Sequence, residues 1–150
     1  MIYVESDPDL NPAIPSELVE RAARAALDLS GAPDADLTIV LTGDERVQAL
    51  NRDFLGIDAP TDVLSFPADE PDPETGGRYL GDIIISVQRA AAQSEMRGHA
   101  VEAEVQLLTV HGVLHLLGHD HADAEEKARM WAAQSEVLER IGISPSIVHE

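Results

Sequence analysis

The sequence predicts an α+β fold, a small mixed β-sheet packed against about four or five helices, as one domain over residues 1–150. Three observations predict it. Short β-branched and aliphatic runs at 36–42 (DLTIVLT) and 79–86 (YLGDIIIS) have the length and composition of strands. The stretches around them carry apolar residues at helical spacing, bracketed by capping and breaking residues. No internal repeat and no linker divides the chain.

Taken in order, Ile2–Glu5 reads as an edge strand, followed by a proline-broken loop. Ser16, with Glu17 and Glu20 close behind, opens a helix that runs through Leu29 and ends at Ser30-Gly31. After the strand at 36–42, Asp44 is placed to cap a short helix, ERVQALNRDF. TDVLSFP, residues 61–67, alternates Val63 and Ser65 with Leu64 and Phe66 and stops at a proline, which reads as a further strand. The acidic residues 68–78 (ADEPDPETGGR), rich in Pro and Gly, read as a long surface loop without catalytic consequence. Beyond the strand at 79–86, VQRAAAQSEMRG (87–98) reads as a helix closing on Gly98. From His99 to Leu117 comes the longest apolar helix, hydrophobic on more than one face, a pattern that places it at the centre of the fold. Gly118 stops it. Asp123 and Glu126 form a capping box for a last helix to Arg140-Ile141, with Ala124, Ala128, Trp131, Leu138 and Ile141 at helical spacing.

Charge narrows the function. Ten Lys and Arg face 28 Asp and Glu, a formal net charge of −18. A field of that sign repels nucleic acid and anionic membranes at long range, and reads first as a solvated acidic surface. No apolar stretch approaches the roughly 18–20 residues of a membrane span. MIYVESDPDL lacks the basic-then-apolar pattern of a secretory signal, so a cytoplasmic protein without a membrane role is expected. With no Cys there are no disulfides and no thiolate metal ligands, which fits a reducing compartment.

Residues 106–121, QLLTVHGVLHLLGHDH, place four of the six histidines inside the most apolar part of the chain. Burying imidazoles without partners is costly, so the cluster calls for one. His111 and His115 are four apart on a helix, and both rings project from one face. Gly118 frees the backbone to turn, and the turn offers His121 or His119 as a third nitrogen. Three imidazoles around a zinc ion leave one tetrahedral position open, as catalytic zinc sites do. Asp120 either orients a ligand imidazole or caps the turn. His99 and His149 stand apart and are expected at the surface. Zinc peptidases write H-E-x-x-H, with the Glu as general base. Here that position is Gly112, which demotes peptide hydrolysis.

HGVLHLLGHDH, residues 111–121, resembles the H-G-x-L-H-L-x-G-Y-D-H signature of the YbeY family, bacterial metal-dependent endoribonucleases of ribosomal RNA maturation. LN at 50–51, PTDVLSFP at 60–67 and LGDIIIS at 80–86 resemble the family's pattern in kind and order, and the likeness spans residues 36–135. The resemblance implies an α+β fold with a metal site on the central helix. It makes His111, His115 and His121 the ligands of one Zn2+ ion. The implied activity is that of a zinc-dependent, single-strand-specific endoribonuclease acting in 16S rRNA 3′ end processing and ribosome quality control. Its implied partners are single-stranded or ribosomal RNA and the small ribosomal subunit or ribosome-associated proteins, in the cytoplasm. Two positions depart from the pattern. His119 stands where the family has Tyr, which leaves the ligands intact. Leu55 stands where the family places an Arg, a residue suited to gripping phosphate near the metal. Arg52, about one helical turn earlier, could reach the same space or be a solvated helix residue.

The chemistry this implies is metal-assisted phosphodiester hydrolysis in a groove between the strand at 61–67 and the metal helix. Ser65 is a polar contact there or plain sheet surface, so Asp120, Ser65 and Arg52 are the candidate catalytic residues beside the ligands. An ion's field acts over a Debye length of about 8 Å, so it can attract phosphate locally on an acidic protein, while recruitment falls to the ribosome or a protein partner. Two other readings compete. A non-catalytic ribosome assembly factor with a structural zinc needs a fourth protein ligand, such as His119. A zinc peptidase or amidase needs a carboxylate near the ion, Asp120 or a loop Glu.

Overall fold

The computed structural model describes residues 1–147, so His149 lies outside the described residues. Strands β1 (Ile2–Ser6), β2 (Asp36–Thr42), β3 (Val63–Pro71) and β4 (Arg78–Ser86) form one sheet in the order β1-β2-β4-β3. β1, β2 and β4 run parallel, and β3 pairs antiparallel with β4. Helices α1 (Ser16–Leu29), α2 (Asp44–Leu55), α3 (Val87–Arg97), α4 (Val101–Leu116) and α5 (Ala124–Arg140), with a 3-10 turn at Pro145–Ile147, complete the described elements. The expected α+β fold with a small mixed sheet is what the chain adopts.

Strand side chains alternate between the two faces of a sheet. Leu37, Ile39 and Leu41 of β2, with Ile83 and Ile85 of β4, enter the main core beneath α1, α4 and α5. Val40 and Ile84 point the other way and join Leu64 and Val47 in a smaller cluster under α2. The central strands are therefore covered on both faces, which is why they read as nearly unbroken apolar runs.

The helix α4 is buried almost all round, at residues 104–110, 112–114 and Leu116. It packs against α1, α3, α5, β3 and β4, the central position its unsegregated hydrophobicity predicts. Its approach to the sheet is close. A Cβ at Gly112 would come within 2.8 Å of Ile83 Cγ2.

Several expectations need correction. The acidic stretch at 68–78 is not a long loop, because β3 continues to Pro71 and pairs with the start of β4 at Arg78. β3 is an edge strand, so Pro67 and Pro71 are tolerated and the exposed carboxylates of Asp69 and Glu70 stand in solvent without loss. A register shift between Pro67 and Glu70, with Asp69 at φ 51°, marks a bulge. Gly43, not Asp44, is the N-cap of α2. Asp44 is the first helical residue, its N–H donating to Gln88 Oε1 at 2.8 Å and its carboxylate accepting from Ser86 Oγ at 2.6 Å. His99 precedes α4 instead of opening it, and is not a surface residue. Its Nε2 lies 2.8 Å from Oε1 of Glu104, a fully buried side chain in the first turn of α4. The cap at Asp123 is present, Oδ1 accepting from Glu126 N at 2.8 Å. No described helix is long and apolar enough to cross a membrane.

Candidate metal centre

Helical spacing brings the first two ligand candidates together. His111 and His115 lie one turn apart near the C-terminal end of α4, ring centroids 4.6 Å apart, with Nε2 facing Nε2 at 3.0 Å. The chain then turns at Gly118, whose φ of 101° favours glycine. His119 N–H closes the turn on Leu114 O at 2.9 Å. Asp120 Oδ1 accepts from His121 N at 2.7 Å and shapes the return. His121 is thereby carried back over the helix, its ring 5.2 Å from His115 and 5.8 Å from His111. One nitrogen from each of the three rings lies within 4.8 Å of the others. His119 takes no part in this group and borders a separate pocket with Glu126 and Arg129.

The rings are buttressed from α5. Trp131 stands edge-on to His111 and to His121, each at 5.9 Å, and the Lys127 ammonium sits 5.3 Å from the Trp131 ring centroid. Gln134, 1% exposed, places Oε1 2.6 Å from His111 Nδ1.

Burial pushes the His111 imidazolium down to about 4, against the opposing hydrogen bond with Gln134. His115 is lowered as well, by burial first and then by the neighbouring His121. Both rings are held neutral, the form that binds metal. Imidazole donors suit zinc, and also nickel, copper and cobalt, so the donor set fits a divalent transition metal.

A cleft of about 410 Å³ opens beside these rings between α4 and the first half of β3. Thr61, Asp62, Val63, Ser65 and Pro67 form its far wall. Ser65 pairs with Ile83 in register and so faces α4, its Oγ 3.5 Å from Gly112 O. Asp62 caps the start of β3, Oδ1 accepting from Val63 N at 2.8 Å while Oδ2 accepts from Gln93 Nε2 at 3.3 Å. Among the described residues it is the one carboxylate lining this cleft. Arg52 is placed elsewhere, on the exposed side of α2, its Nε donating to Asp53 Oδ1 at 3.0 Å, and it does not line the cleft. Leu55 is 52% exposed at the end of the same helix.

Of the residues the sequence put forward, His111, His115 and His121 converge and Ser65 lines the cleft, whereas Asp120 borders the pocket beside His119; Asp62, Trp131 and Gln134 were not singled out for the site. For Gln134 a signal existed: it is a polar residue three positions after Trp131 and four before Leu138, inside the apolar stripe of the last helix.

Fold and site together define a class: an α+β protein with a three-histidine centre, suited to a metal ion, at the side of a cleft. Within that class the chain is specific. The family model described as Endoribonuclease YbeY matches residues 5–142, and the chain belongs to this family. It is 46% identical over 151 residues to the Endoribonuclease YbeY of Chloroflexus aurantiacus, covering 95% of this chain and 98% of that one. The Endoribonuclease YbeY of Heliobacterium modesticaldum is 43% identical over 137 residues, 84% of this chain and 82% of its own. In fold the chain is similar to the solution structure of TM1509 from Thermotoga maritima, with a TM-score of 0.61 at 24% identity, covering 94% of this chain and 91% of that one.

Proposed function

We propose that this chain is a metal-dependent endoribonuclease that hydrolyses phosphodiester bonds of single-stranded RNA in the cleft between α4 and β3. His111, His115 and His121 hold one zinc ion per chain. The observation that carries the reading is the convergence of three imidazole nitrogens within 4.8 Å, beside an open cleft. A zinc ion there would supply Lewis-acid activation of water and of a phosphoryl oxygen.

The chain's own residues do the rest. Gly118 and Asp120 form the turn that returns His121 to the helix pair, so Asp120 acts through position. Asp62 offers the carboxylate of the cleft and takes the proton of the attacking water. Ser65 lines the wall opposite the rings and offers a hydroxyl to the RNA backbone. Arg52 remains a surface residue of α2, engaged with Asp53.

The net charge of −18 opposes binding of free RNA at long range. Among the described residues no Lys or Arg lines the cleft to offset it. Recruitment therefore rests on the small ribosomal subunit or a ribosome-associated protein, in the cytoplasm, with 16S rRNA 3′ end processing and ribosome quality control as the setting. Two competing readings lose support. Among the described residues no fourth ligand joins the three histidines, as a structural zinc requires. The peptidase or amidase reading needs Asp120 or a loop Glu at the ion, and among the described residues neither lines the cleft. Metal-dependent cleavage of single-stranded RNA, absent from a His115→Ala variant, tests the proposal.

A further inference from the structure

A buried amide needs a hydrogen-bond partner, and Gln134 finds its partner in a ligand ring. The side chain is 1% exposed, and its Oε1 sits 2.6 Å from His111 Nδ1. On the other side of that ring, Nε2 faces His115 Nε2 at 3.0 Å. A neutral imidazole carries one N–H and one lone pair, so the two nitrogens cannot do the same work. With the proton on Nδ1, the ring donates to the amide oxygen and turns its lone pair toward the other two histidines. With the proton on Nε2, that N–H would occupy the space an ion needs, and a nitrogen lone pair would face an oxygen.

We propose that Gln134 is the positioning residue of the centre: by accepting the Nδ1–H of His111 it locks the ring in the tautomer whose Nε2 is free for an ion. This rests on the three-histidine reading given above. Trp131, three residues earlier on α5, packs edge-on against the same ring at 5.9 Å and limits its rotation. The partner is an amide, not a carboxylate, so it sets the tautomer without adding negative charge beside the ion. The ion's charge stays available to an incoming phosphate.

The test uses the full chain, with Gln134→Leu removing the acceptor and Gln134→Glu retaining one. Nitrogen-15 chemical shifts of the imidazoles, taken on metal-free protein, report the tautomer directly. Zinc affinity is measured separately by competition with a chromophoric chelator, and thermal melting confirms folding. The wild type is expected to show His111 protonated at Nδ1. Gln134→Leu loses that preference and binds zinc about 10-fold to 100-fold more weakly, while Gln134→Glu keeps both. Wild-type and Leu variants with the same tautomer and affinity would overturn the proposal, as would a Glu variant that weakens as much as the Leu variant. Should the Leu variant fail to fold, a wild-type ring protonated at Nε2 overturns it alone. Absence of zinc binding by the wild type would instead sink the metal reading, which the metal-free tautomer measurement distinguishes.

Discussion

His111 Nε2 and His115 Nε2 lie 3.0 Å apart on α4. Two ligands of a tetrahedral zinc with bonds of about 2.0–2.1 Å stand about 3.3 Å apart, so the helix already presents its pair at ligand spacing. His121 is exposed, and its ligand nitrogen lies within 4.8 Å of the other two. Zinc titration should therefore saturate at one ion per chain. His111→Ala and His115→Ala should each weaken binding by more than the roughly 100-fold typical of losing an outer hydrogen bond, with folding intact. Calorimetry and metal analysis check this, and stoichiometric binding by His111→Ala would contradict it.

Asp62 contributes its carboxylate to the cleft while its Oδ1 caps the strand. Asn keeps the cap and loses the base. The Asp62→Asn variant is expected to bind zinc as the wild type does and to cleave RNA about 10²–10⁴-fold more slowly. Parallel measurement of zinc affinity and kcat separates the two, and an unchanged kcat would remove Asp62 from the mechanism.

Gly112 is set by packing. An added Cβ would meet Ile83 Cγ2 at 2.8 Å and both Cγ1 and Cδ1 at 3.1 Å, atoms of a stiff, buried side chain. Overpacking of this kind costs about 1–3 kcal/mol, offset in part by the helix preference of Ala over Gly, about 1 kcal/mol. Gly112→Ala should lower stability by up to about 2 kcal/mol in the wild-type chain, and by less in an Ile83→Ala chain, where the clash is gone. Denaturant midpoints of the single and double variants check the coupling.

Burial raises the Glu104 carboxyl above the usual range, against the opposing hydrogen bond of His99. Arg97 lowers it further and Asp62 raises it. The folded chain thus holds this proton more tightly than the unfolded one, whose Glu titrates near about 4.3. The contribution to stability is present below that value and lost as pH rises through the folded one. Urea unfolding between pH 4 and 7 should show a shallower decline with pH for Glu104→Gln than for the wild type. An identical slope would contradict the assignment.

How far the site was legible depends on sequence distance. His111, His115 and His121 stand within eleven residues, where helical periodicity and one glycine fix the geometry locally. Ser65 could be placed on the groove wall only because strand alternation gives two choices of face. Gln134 and Trp131 lie on a later helix, and nothing local tells which ring a polar residue in an apolar stripe will meet. The fold shows the same division. The central strands declared themselves through burial on both faces, whereas the outer half of β3 is acidic and proline-bearing because an edge tolerates both, and so resembled a loop. His99 was misjudged for a related reason: its partner Glu104 is a charged residue whose burial the first turn of a helix does not advertise.

A single comparison decides whether RNA cleavage depends on the three-histidine centre. Zinc-loaded wild type, zinc-stripped wild type and His115→Ala are incubated with a single-stranded RNA spanning the 3′ end of a small-subunit precursor. Cleavage by the loaded wild type, with loss in the other two and recovery on returning zinc to the stripped protein, is the predicted result. Equal cleavage by all three would contradict the account.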